Sequence, residues 1–441
     1  MRWISTRGSA PAVTFRDALF EGLAPDGGLY LPERIEPLPE ATIAALRGAP
    51  LATVGGAIAR HLIEHEIPRA ALEQIVAGAL DFPIPLVQVG PAHALELFHG
   101  PTFAFKDVGA RTMARLMAHF VAPGDHLTVL VATSGDTGSA VAQAFAGLPG
   151  TRVIVLFPEG QVSAVQEAQF TTLGGNVEAV AVQGTFDDCQ ALVKAAFADS
   201  AIRQRVRLTS ANSINVGRLL PQVFYYAWAS LEAGRLKPAA TSEAGRPKTA
   251  PHDVGAAFRG PIFSVPSGNF GNLTAGLLAK RLGFPIDHFI AATNVNDVVP
   301  EYLASGRYTP RPSVRTVANA MDVGAPSNFE RMRALYGDDV DQLRRDVRGI
   351  AFEDGAVRRA IADVAVRYDY VLDPHSAIAW LGLQGEPGIF LATAHPAKFR
   401  EVVEPVLGAI KLPKALRDAL GRERRVTRVP ARYEDLRDRI L

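Results

Sequence analysis

Residues 127–138, Leu-Thr-Val-Leu-Val-Ala-Thr-Ser-Gly-Asp-Thr-Gly, join a short apolar run to a glycine-rich turn. The run predicts a buried strand, and the turn leads into a helical pattern that continues through Phe145. Strands that alternate with helices predict an α/β fold whose parallel sheets are covered on both faces, and the length suggests two such lobes. Further predicted strands lie at 152–157, 177–182, 207–209, 262–265, 288–292 and 388–392, with helices at 163–172, 187–197 and 214–232.

The chain has 441 residues, which exceeds the size at which a single hydrophobic core usually stops growing, so two or three domains are expected. Amphipathic helices are predicted at 51–63 and 69–80, and Pro83, Pro85 and Pro91 predict a linker. The predicted regions are a mostly helical N-terminal domain at 1–92, a two-lobed region at 93–410 with a smaller lobe at about 125–210, an exposed insertion at 234–260 and a helical tail at 411–441.

Composition excludes several classes of protein. The 46 basic and 45 acidic residues leave a net charge of +1, so we expect no binding to nucleic acid or to an anionic membrane. A single cysteine, Cys189, excludes an internal disulfide and a thiolate metal cluster, and no metal site is predicted. No apolar run reaches the roughly 20 residues that span a bilayer, and the N-terminus does not resemble a signal peptide. We therefore expect a cytoplasmic protein, either a monomer or a homodimer.

Lys106 lies in His-Gly-Pro-Thr-Phe-Ala-Phe-Lys-Asp, residues 99–107, and is the first lysine of a chain that takes most of its cations as arginine. Unlike arginine, a lysine that apolar neighbours desolvate can lose its proton and form a Schiff base. Phe103 and Phe105 supply such neighbours if they face inward. The alternative is a lysine at the start of a helix whose amine faces water.

Two loops after predicted strands suit anions. In 265–273, Val-Pro-Ser-Gly-Asn-Phe-Gly-Asn-Leu, glycines let the backbone approach a phosphate, and the next helix points free N–H groups at it. No Gly-Lys-Ser/Thr follows, so this is not a Walker loop. Thr133, Ser134 and Thr137 in the first loop suit a substrate carboxylate. The alternatives are a tight turn that binds nothing and plain helix capping, respectively.

A phosphate-binding loop together with a candidate Schiff-base lysine indicates pyridoxal phosphate, which also needs a partner for its ring nitrogen. Thr393, at the end of the strand at 388–392, is the candidate, because a hydroxyl leaves the pyridine unprotonated. The alternative is a strand-end threonine with no special role.

In this order, these segments resemble the threonine synthase family, pyridoxal-phosphate enzymes of fold type II, the fold of the tryptophan synthase β subunit. The resemblance covers nearly the whole chain. It is carried by residues 4–8, 26–30, 99–107, 132–138, 210–215, 265–272, 293–297 and 393–399.

The resemblance implies that Lys106 binds pyridoxal 5′-phosphate covalently and that Thr393 faces its ring nitrogen. It implies conversion of O-phospho-L-homoserine and water to L-threonine and phosphate, a carbon–oxygen lyase reaction of threonine biosynthesis. The cofactor phosphate would be held by Gly268, Asn269, Phe270, Gly271 and Asn272, and the substrate carboxylate by Thr133, Ser134 and Thr137.

The substrate phosphate needs a second binding site. A polar cluster follows a predicted strand, and we expect it to bind this phosphate through Asn212, Ser213, Asn215 and Arg218. Lys398 is a further candidate. The alternative is a capped helix with Arg218 in a surface ion pair. Asp136 stands where the wider fold type often has an amide, and we expect its carboxylate to share a proton with the cofactor's 3′ oxygen.

Three alternative functions stay open from the sequence. They are a related lyase acting on a phosphorylated amino acid, a threonine dehydratase, and a catalytically silent binding protein of the same fold. The polar cluster at 212–218 argues against the dehydratase, and Lys106 with the loop at 268–272 argues against the silent protein.

Overall fold

The computed structural model of the protein describes residues 1–63, 65–122, 124–235 and 260–441. The predicted insertion at 234–260 lies almost entirely outside these residues. None of the described helices is both long and apolar enough to cross a membrane.

The strands are short and are joined mostly by helices. The thirteen described strands are β1 (Trp3–Ser5), β2 (Tyr30–Pro32), β3 (Leu86–Val89), β4 (Ala92–Glu96), β5 (Leu127–Ala132), β6 (Thr151–Pro158), β7 (Val177–Gln183), β8 (Arg207–Ser210), β9 (Phe263–Pro266), β10 (Phe289–Thr293), β11 (Val347–Ala351), β12 (Ile389–Ala392) and β13 (Thr427–Pro430).

The described α-helices are α1 (Phe15–Glu21), α2 (Glu40–Ala45), α3 (Leu51–Ile63), α4 (Arg69–Ala79), α5 (Lys106–Phe120), α6 (Asp136–Phe145), α7 (Ala164–Thr171), α8 (Phe186–Ala198), α9 (Ser200–Arg205), α10 (Val216–Leu219), α11 (Gln222–Ala233), α12 (Gly271–Arg281), α13 (Val298–Ser305), α14 (Phe329–Leu335), α15 (Val340–Asp346), α16 (Asp354–Tyr368), α17 (Pro374–Gly382), α18 (Arg400–Leu407), α19 (Lys414–Leu420) and α20 (Tyr433–Ile440). Short 3₁₀ turns cover Asn319–Met321 and Pro396–Lys398.

Two sheets confirm the predicted α/β class. The smaller has the order β13-β7-β6-β5-β8, and all its pairs are parallel. The larger has the order β11-β10-β9-β12-β4-β3 and is parallel except for the β3–β4 pair. All six residues of β5 are buried, as a strand covered on both faces requires. A two-stranded antiparallel sheet pairs β1 with β2.

Three local predictions were wrong. The supposed linker contains β3, an edge strand that turns back onto β4 at Gly90, where φ is 52°. The long helix predicted at 214–232 is two helices, α10 and α11, separated at Pro221, which lacks the N–H that a continuous helix needs. The C-terminal tail includes β13, which extends the smaller sheet beyond β7. Edge strands of four residues with few buried side chains leave little periodic signal.

Helix α17 packs closely on the larger sheet at Gly382. A Cβ there would lie 2.4 Å from Ser264 Oγ and 3.0 Å from Ala292 Cβ, so only glycine allows this approach. The helix therefore has a defined position against β9 and β10, and its first turn contacts Thr393, the residue that follows β12.

Candidate active site

Loops from the two sheets meet at the carboxyl ends of their parallel strands, where ligands bind in folds of this kind. Asp136, after β5, accepts a hydrogen bond from Lys398, after β12, at 2.6 Å between Oδ1 and Nζ. Ser213, after β8, accepts one from Asn269, after β9, at 2.5 Å between Oγ and Nδ2. Each contact joins one sheet to the other, so the predicted site residues surround one region of the molecule.

Lys106 is held beside Thr393 by backbone contacts. The Phe105 N–H donates to the Thr393 carbonyl at 2.8 Å, and the His395 N–H donates to the Phe103 carbonyl at 3.1 Å. Lys106 is the first residue of α5, which sets its amine next to this paired segment. The candidate Schiff-base lysine and the candidate partner of the ring nitrogen are therefore neighbours in space, although the chain separates them widely.

The amine of Lys106 is easier to deprotonate than an ordinary lysine. Burial lowers its pKa to about 8, and the positive charges of Arg218 and Lys398 act in the same direction, whereas Asp136 opposes them. The amine lies 5.8 Å from the centre of the Phe105 ring, so Phe105 supplies the apolar neighbour that the sequence predicted. The lowered pKa leaves more of the Lys106 amine neutral near pH 8 than in an ordinary lysine, as nucleophilic and basic roles require.

Arg218 is a buried cation without a carboxylate contact among the described residues. It is 3% exposed, its Nη1 donates to the Ala211 carbonyl at 2.7 Å, and its Nε has no partner within the described chain. Gly109 of α5 allows its close approach, since a Cβ there would lie 2.8 Å from the Arg218 carbonyl oxygen. Burial lowers the pKa of Arg218 to about 10, although the charge of Asp107 opposes this. An unsatisfied buried guanidinium fits an anionic ligand.

The loop at 268–272 has the shape of a phosphate-binding loop. Phe270 has a φ of 60°, a left-handed conformation in which it precedes α12. Within the described residues, the backbone N–H groups of 268–272 donate to no other group. The side chains stabilise the loop from behind: Asn269 contacts Ser213, and Asn272 Oδ1 accepts from Tyr225 and Tyr226 at 2.5 and 2.8 Å. Free N–H groups at the start of an eleven-residue helix favour an anion.

Replacing Gly268 with alanine should distort this loop. A Cβ would lie 2.8 Å from Met321 Cα and 2.9 Å from the Ala320 carbonyl oxygen, and backbone atoms cannot move aside cheaply. We expect Gly268→Ala to reduce stability by about 1–3 kcal/mol and to weaken cofactor binding, measured by thermal unfolding and cofactor titration. Gly56→Ala in α3, where the nearest atom is 3.8 Å away, is the control and should leave cofactor binding unchanged. Equal behaviour of the two variants would contradict the prediction.

The loop at 133–137 divides its hydroxyls between two tasks. Thr133 Oγ1 accepts from the Gly135 and Gly138 N–H groups at 2.9 and 2.8 Å, so it stabilises the turn. Ser134 and Thr137 are partly exposed, and their hydroxyls make no hydrogen bond within the described chain. Ser134 and Thr137 are thus free to contact a ligand, while Thr133 holds the loop that presents them.

The cluster at 212–218 divides in the same way. Asn215 is buried, with its side chain bound to the Leu19 and Ser210 carbonyls and to the Gly217 N–H, so the geometry does not support direct contact with a ligand. Asn212 has a buried Oδ1 without a partner in the described chain, and Ser213 joins the loop at 268–272. Asn212, Ser213 and Arg218 therefore remain candidate ligands, and Asn215 orients them.

Lys398, predicted as a further ligand of the substrate phosphate, has its amine bound to two internal groups. It is fully buried, and its amine donates to Asp136 Oδ1 at 2.6 Å and to the Thr102 carbonyl at 2.7 Å. Because both contacts are internal, the geometry does not support direct binding of a substrate phosphate by Lys398. Burial alone would raise the pKa of Asp136, but Lys398, Lys106 and a 2.8 Å hydrogen bond from Gln166 outweigh it and hold that pKa below its ordinary value.

Replacing Asp136 with asparagine should therefore change the ionisation of Lys106. The negative charge of Asp136 raises the pKa of Lys106, so Asp136→Asn is expected to lower it further below about 8. Capture of pyridoxal phosphate by cofactor-free protein requires the neutral amine, so its rate should rise through this pKa, with the midpoint at lower pH in the variant. The same variant should shift the pH dependence of the bound cofactor's absorbance. Unchanged midpoints in both titrations would contradict this role for Asp136.

Several buried residues that support the site were not predicted from the sequence. Asp107 accepts from the Thr102 N–H at 2.9 Å and the Thr102 hydroxyl at 2.6 Å, and burial raises its pKa to about 6. Arg331 is fully buried and donates to the carbonyls of Tyr30, Ser213 and Ile214. The only sequence signal for Asp107 was its position next to Lys106, and none distinguished Arg331 from other helical arginines.

The arrangement fits pyridoxal phosphate. It combines a lysine of lowered pKa, a loop with free N–H groups, and Thr393, whose hydroxyl makes no hydrogen bond within the described chain. Arg218, whose Nε has no partner within the described chain, lies near enough to Lys106 to lower its pKa.

Comparisons with known proteins agree with this chemistry. The family model "Pyridoxal-phosphate dependent enzyme" matches residues 93–390, and models of the threonine synthase N terminus and C-terminal region match residues 2–80 and 377–440. The chain is 42% identical over 432 residues to threonine synthase of Escherichia coli, covering 96% of each chain. It is 46% identical over 407 residues to that of Haemophilus influenzae, covering 91% of this chain and 90% of the relative.

Solved structures agree as well. The crystal structure of threonine synthase from Escherichia coli superposes with a TM-score of 0.89 at 40% identity, covering 100% of this chain and 99% of the other. Pyridoxal-phosphate-bound threonine synthase from Brucella melitensis gives a TM-score of 0.88 at 37% identity, covering 100% and 98%. With the lysine, the candidate phosphate-binding loop and Arg218 brought together in one site, these similarities show that the chain belongs to the threonine synthase family of pyridoxal-phosphate-dependent lyases.

Proposed function

We propose that this chain acts on O-phospho-L-homoserine, converting it with water to L-threonine and phosphate. The observation that carries this choice of substrate is the unpartnered Nε of buried Arg218 beside Lys106. A phosphorylated substrate needs a cation at this point in addition to the loop that holds the cofactor phosphate. We further propose a cytoplasmic location, in keeping with a single buried cysteine.

The proposed binding roles follow from which groups are free. The N–H groups of 268–272 hold the cofactor phosphate, and the Thr393 hydroxyl faces the ring nitrogen. Ser134 and Thr137 hold the substrate carboxylate in a loop that Thr133 stabilises. Arg218 and Asn212, with Ser213 beside them, hold the substrate phosphate. Carboxylate and phosphate bound at opposite ends would orient the substrate Cα toward Lys106.

The proposed chemistry places proton transfer on Lys106. Its neutral amine removes the proton from the substrate Cα, and the bound cofactor serves as the electron sink for the resulting charge. A proton is then removed from Cβ, and the electron pair left there forms the Cβ–Cγ double bond as the Cγ–O bond to phosphate breaks, with Arg218 stabilising the charge on the departing phosphate. Water adds at Cβ, and protons return to carbon from Lys106, so one water is consumed and one phosphate is released. Deprotonated Lys106 is accessible near neutral pH because burial lowers its pKa to about 8.

A product assay tests this function. Purified protein with added pyridoxal phosphate should convert O-phospho-L-homoserine to equal amounts of threonine and phosphate, measured by chromatography and by phosphate release. Formation of 2-oxobutyrate in place of threonine would identify a lyase that does not add water in this pattern. Phosphate release from O-phospho-L-serine at a higher kcat/KM would show that the substrate is a different phosphorylated amino acid.

A further inference from the structure

A buried polar cluster begins helix α17, and no step described above uses it. Asp373 and Ser376 are each 1% exposed, and His375 is 4% exposed. The Asp373 carboxylate accepts from the backbone N–H groups of His375 and Ser376 at 2.9 and 3.3 Å. It also accepts from His375 Nδ1 at 2.8 Å and from the Ser376 hydroxyl. Four hydrogen bonds on one carboxylate exceed what capping a helix requires.

One branch of the cluster reaches Thr393. The Ser376 hydroxyl donates its proton to Asp373, so its oxygen accepts the Thr393 backbone N–H, at 3.2 Å. The Thr393 carbonyl in turn accepts from Phe105, the residue before Lys106. Ser376 therefore determines where the end of β12 lies relative to Lys106.

The other branch reaches the loop at 268–272. Because His375 Nδ1 donates to Asp373, its Nε2 carries a lone pair and accepts the Ala320 backbone N–H at 3.2 Å. Ala320 and Met321 form the wall behind Gly268, where an added Cβ would lie 2.9 and 2.8 Å from them. His375 packs against Phe399, with 4.8 Å between ring centres, which restricts movement of the imidazole. His375 therefore supports the phosphate-binding loop from behind.

We propose that Asp373 is a positioning residue that sets both ends of the cofactor site, the ring-nitrogen end through Ser376 and the phosphate end through His375. The proposal rests on the proposed placement of the cofactor, with Thr393 at its ring nitrogen and 268–272 at its phosphate. One carboxylate then fixes the distance between these two ends. A ligand that matches this distance meets both ends without rearranging either.

Asparagine separates this role from plain capping. Asparagine caps helices about as well as aspartate, so a capping role alone predicts a neutral Asp373→Asn change. However, asparagine has one acceptor oxygen, and its Nδ2 would face the donating His375 ring or Ser376 hydroxyl. Either arrangement breaks at least one branch of the cluster.

The experiment measures binding to cofactor-free protein with two probes. Pyridoxal, which lacks the phosphate, reports the ring end by absorbance, and inorganic phosphate reports the phosphate end by competition with pyridoxal phosphate. Ser376→Ala should weaken the binding of pyridoxal about tenfold and shift the absorbance maximum of the bound cofactor. It should leave the affinity for phosphate within twofold of normal. The asparagine side chain of His375→Asn is too short to reach Ala320, so this variant should weaken phosphate binding about tenfold and leave pyridoxal binding unchanged. The longer side chain of His375→Gln should restore phosphate binding. Asp373→Asn should weaken the binding of at least one of the two probes about tenfold.

Control variants separate a specific loss of binding from a general effect of removing a buried polar group. Ser230→Ala in α11 removes a buried hydroxyl that donates to the Ala227 carbonyl at 2.8 Å, and it should change neither probe. The proposal is overturned if Asp373→Asn leaves the affinities for both probes within twofold of normal. It is also overturned if Ser376→Ala and His375→Asn each weaken the binding of both probes equally. Thr393→Val and Gly268→Ala test the underlying placement. If those two variants leave binding unchanged, the placement of the cofactor fails as well.

Discussion

Lys106→Ala is expected to lower threonine formation by at least about a thousandfold, because one side chain would supply both covalent attachment and proton transfer. The cofactor should still bind, since the loop at 268–272 and Thr393 are unchanged. It should no longer be fixed to the protein by borohydride reduction. Phosphate release measures the activity, and mass spectrometry of the reduced protein measures the attachment.

Lys414 provides the matched control for this variant. It lies on the surface in an ion pair with Asp418 at 2.7 Å, so Lys414→Ala should keep full activity and full labelling. Labelled peptide from the unaltered protein should contain Lys106. Label on another lysine, or activity within tenfold of normal in Lys106→Ala, would refute the assignment of Lys106.

Arg218→Met is expected to raise the KM for O-phospho-L-homoserine by roughly 50-fold, since charge-assisted hydrogen bonds to a buried cation are worth about 1.5–3 kcal/mol. Methionine keeps much of the buried volume, so the packing of Gly109 against α10 should survive. The change also removes a positive charge that lowers the pKa of Lys106, so that pKa should rise. Steady-state kinetics and the pH dependence of cofactor capture measure the two effects separately.

Arg218→Lys tests how much of the effect is due to charge, and Arg437→Ala is the control. Lysine restores the charge without the planar fork, so it should recover part of the affinity. Arg437, in α20, forms an ion pair with Asp199 at 3.0 Å, and replacing it with alanine should leave KM unchanged. If Arg218→Met and Arg218→Ala both leave KM unchanged, the substrate phosphate binds elsewhere.

Much of the fold follows from local patterns. The buried run of β5 and the alternating segments after it were recognisable because apolar strands and amphipathic helices have distinct periods. The edge strands β3 and β13 were not, since each is short and pairs on one side only. Pro221 marks the break between α10 and α11, but the helical pattern on either side conceals it.

The candidate site was predictable where chemistry depends on residue type and close spacing. Lys106 among phenylalanines and the loop at 268–272 each combine their features within a few residues. The groups that each candidate side chain contacts were not predictable from the sequence. Lys398 and Arg218 are both cations near predicted strand ends, but Lys398 is neutralised by Asp136 and Arg218 keeps an unsatisfied Nε.

The sequence by itself determined the α/β class, the candidate lysine, the candidate phosphate-binding loop and the family resemblance, because each depends on neighbours along the chain. Only the tertiary structure decided which polar groups are free for ligands and which are committed internally. It showed that the side chains of Lys398 and Asn215 are hydrogen-bonded internally, and it revealed the cluster at Asp373. The reason is that hydrogen bonding and desolvation depend on distances through space, which the folding of distant segments sets and no local pattern records.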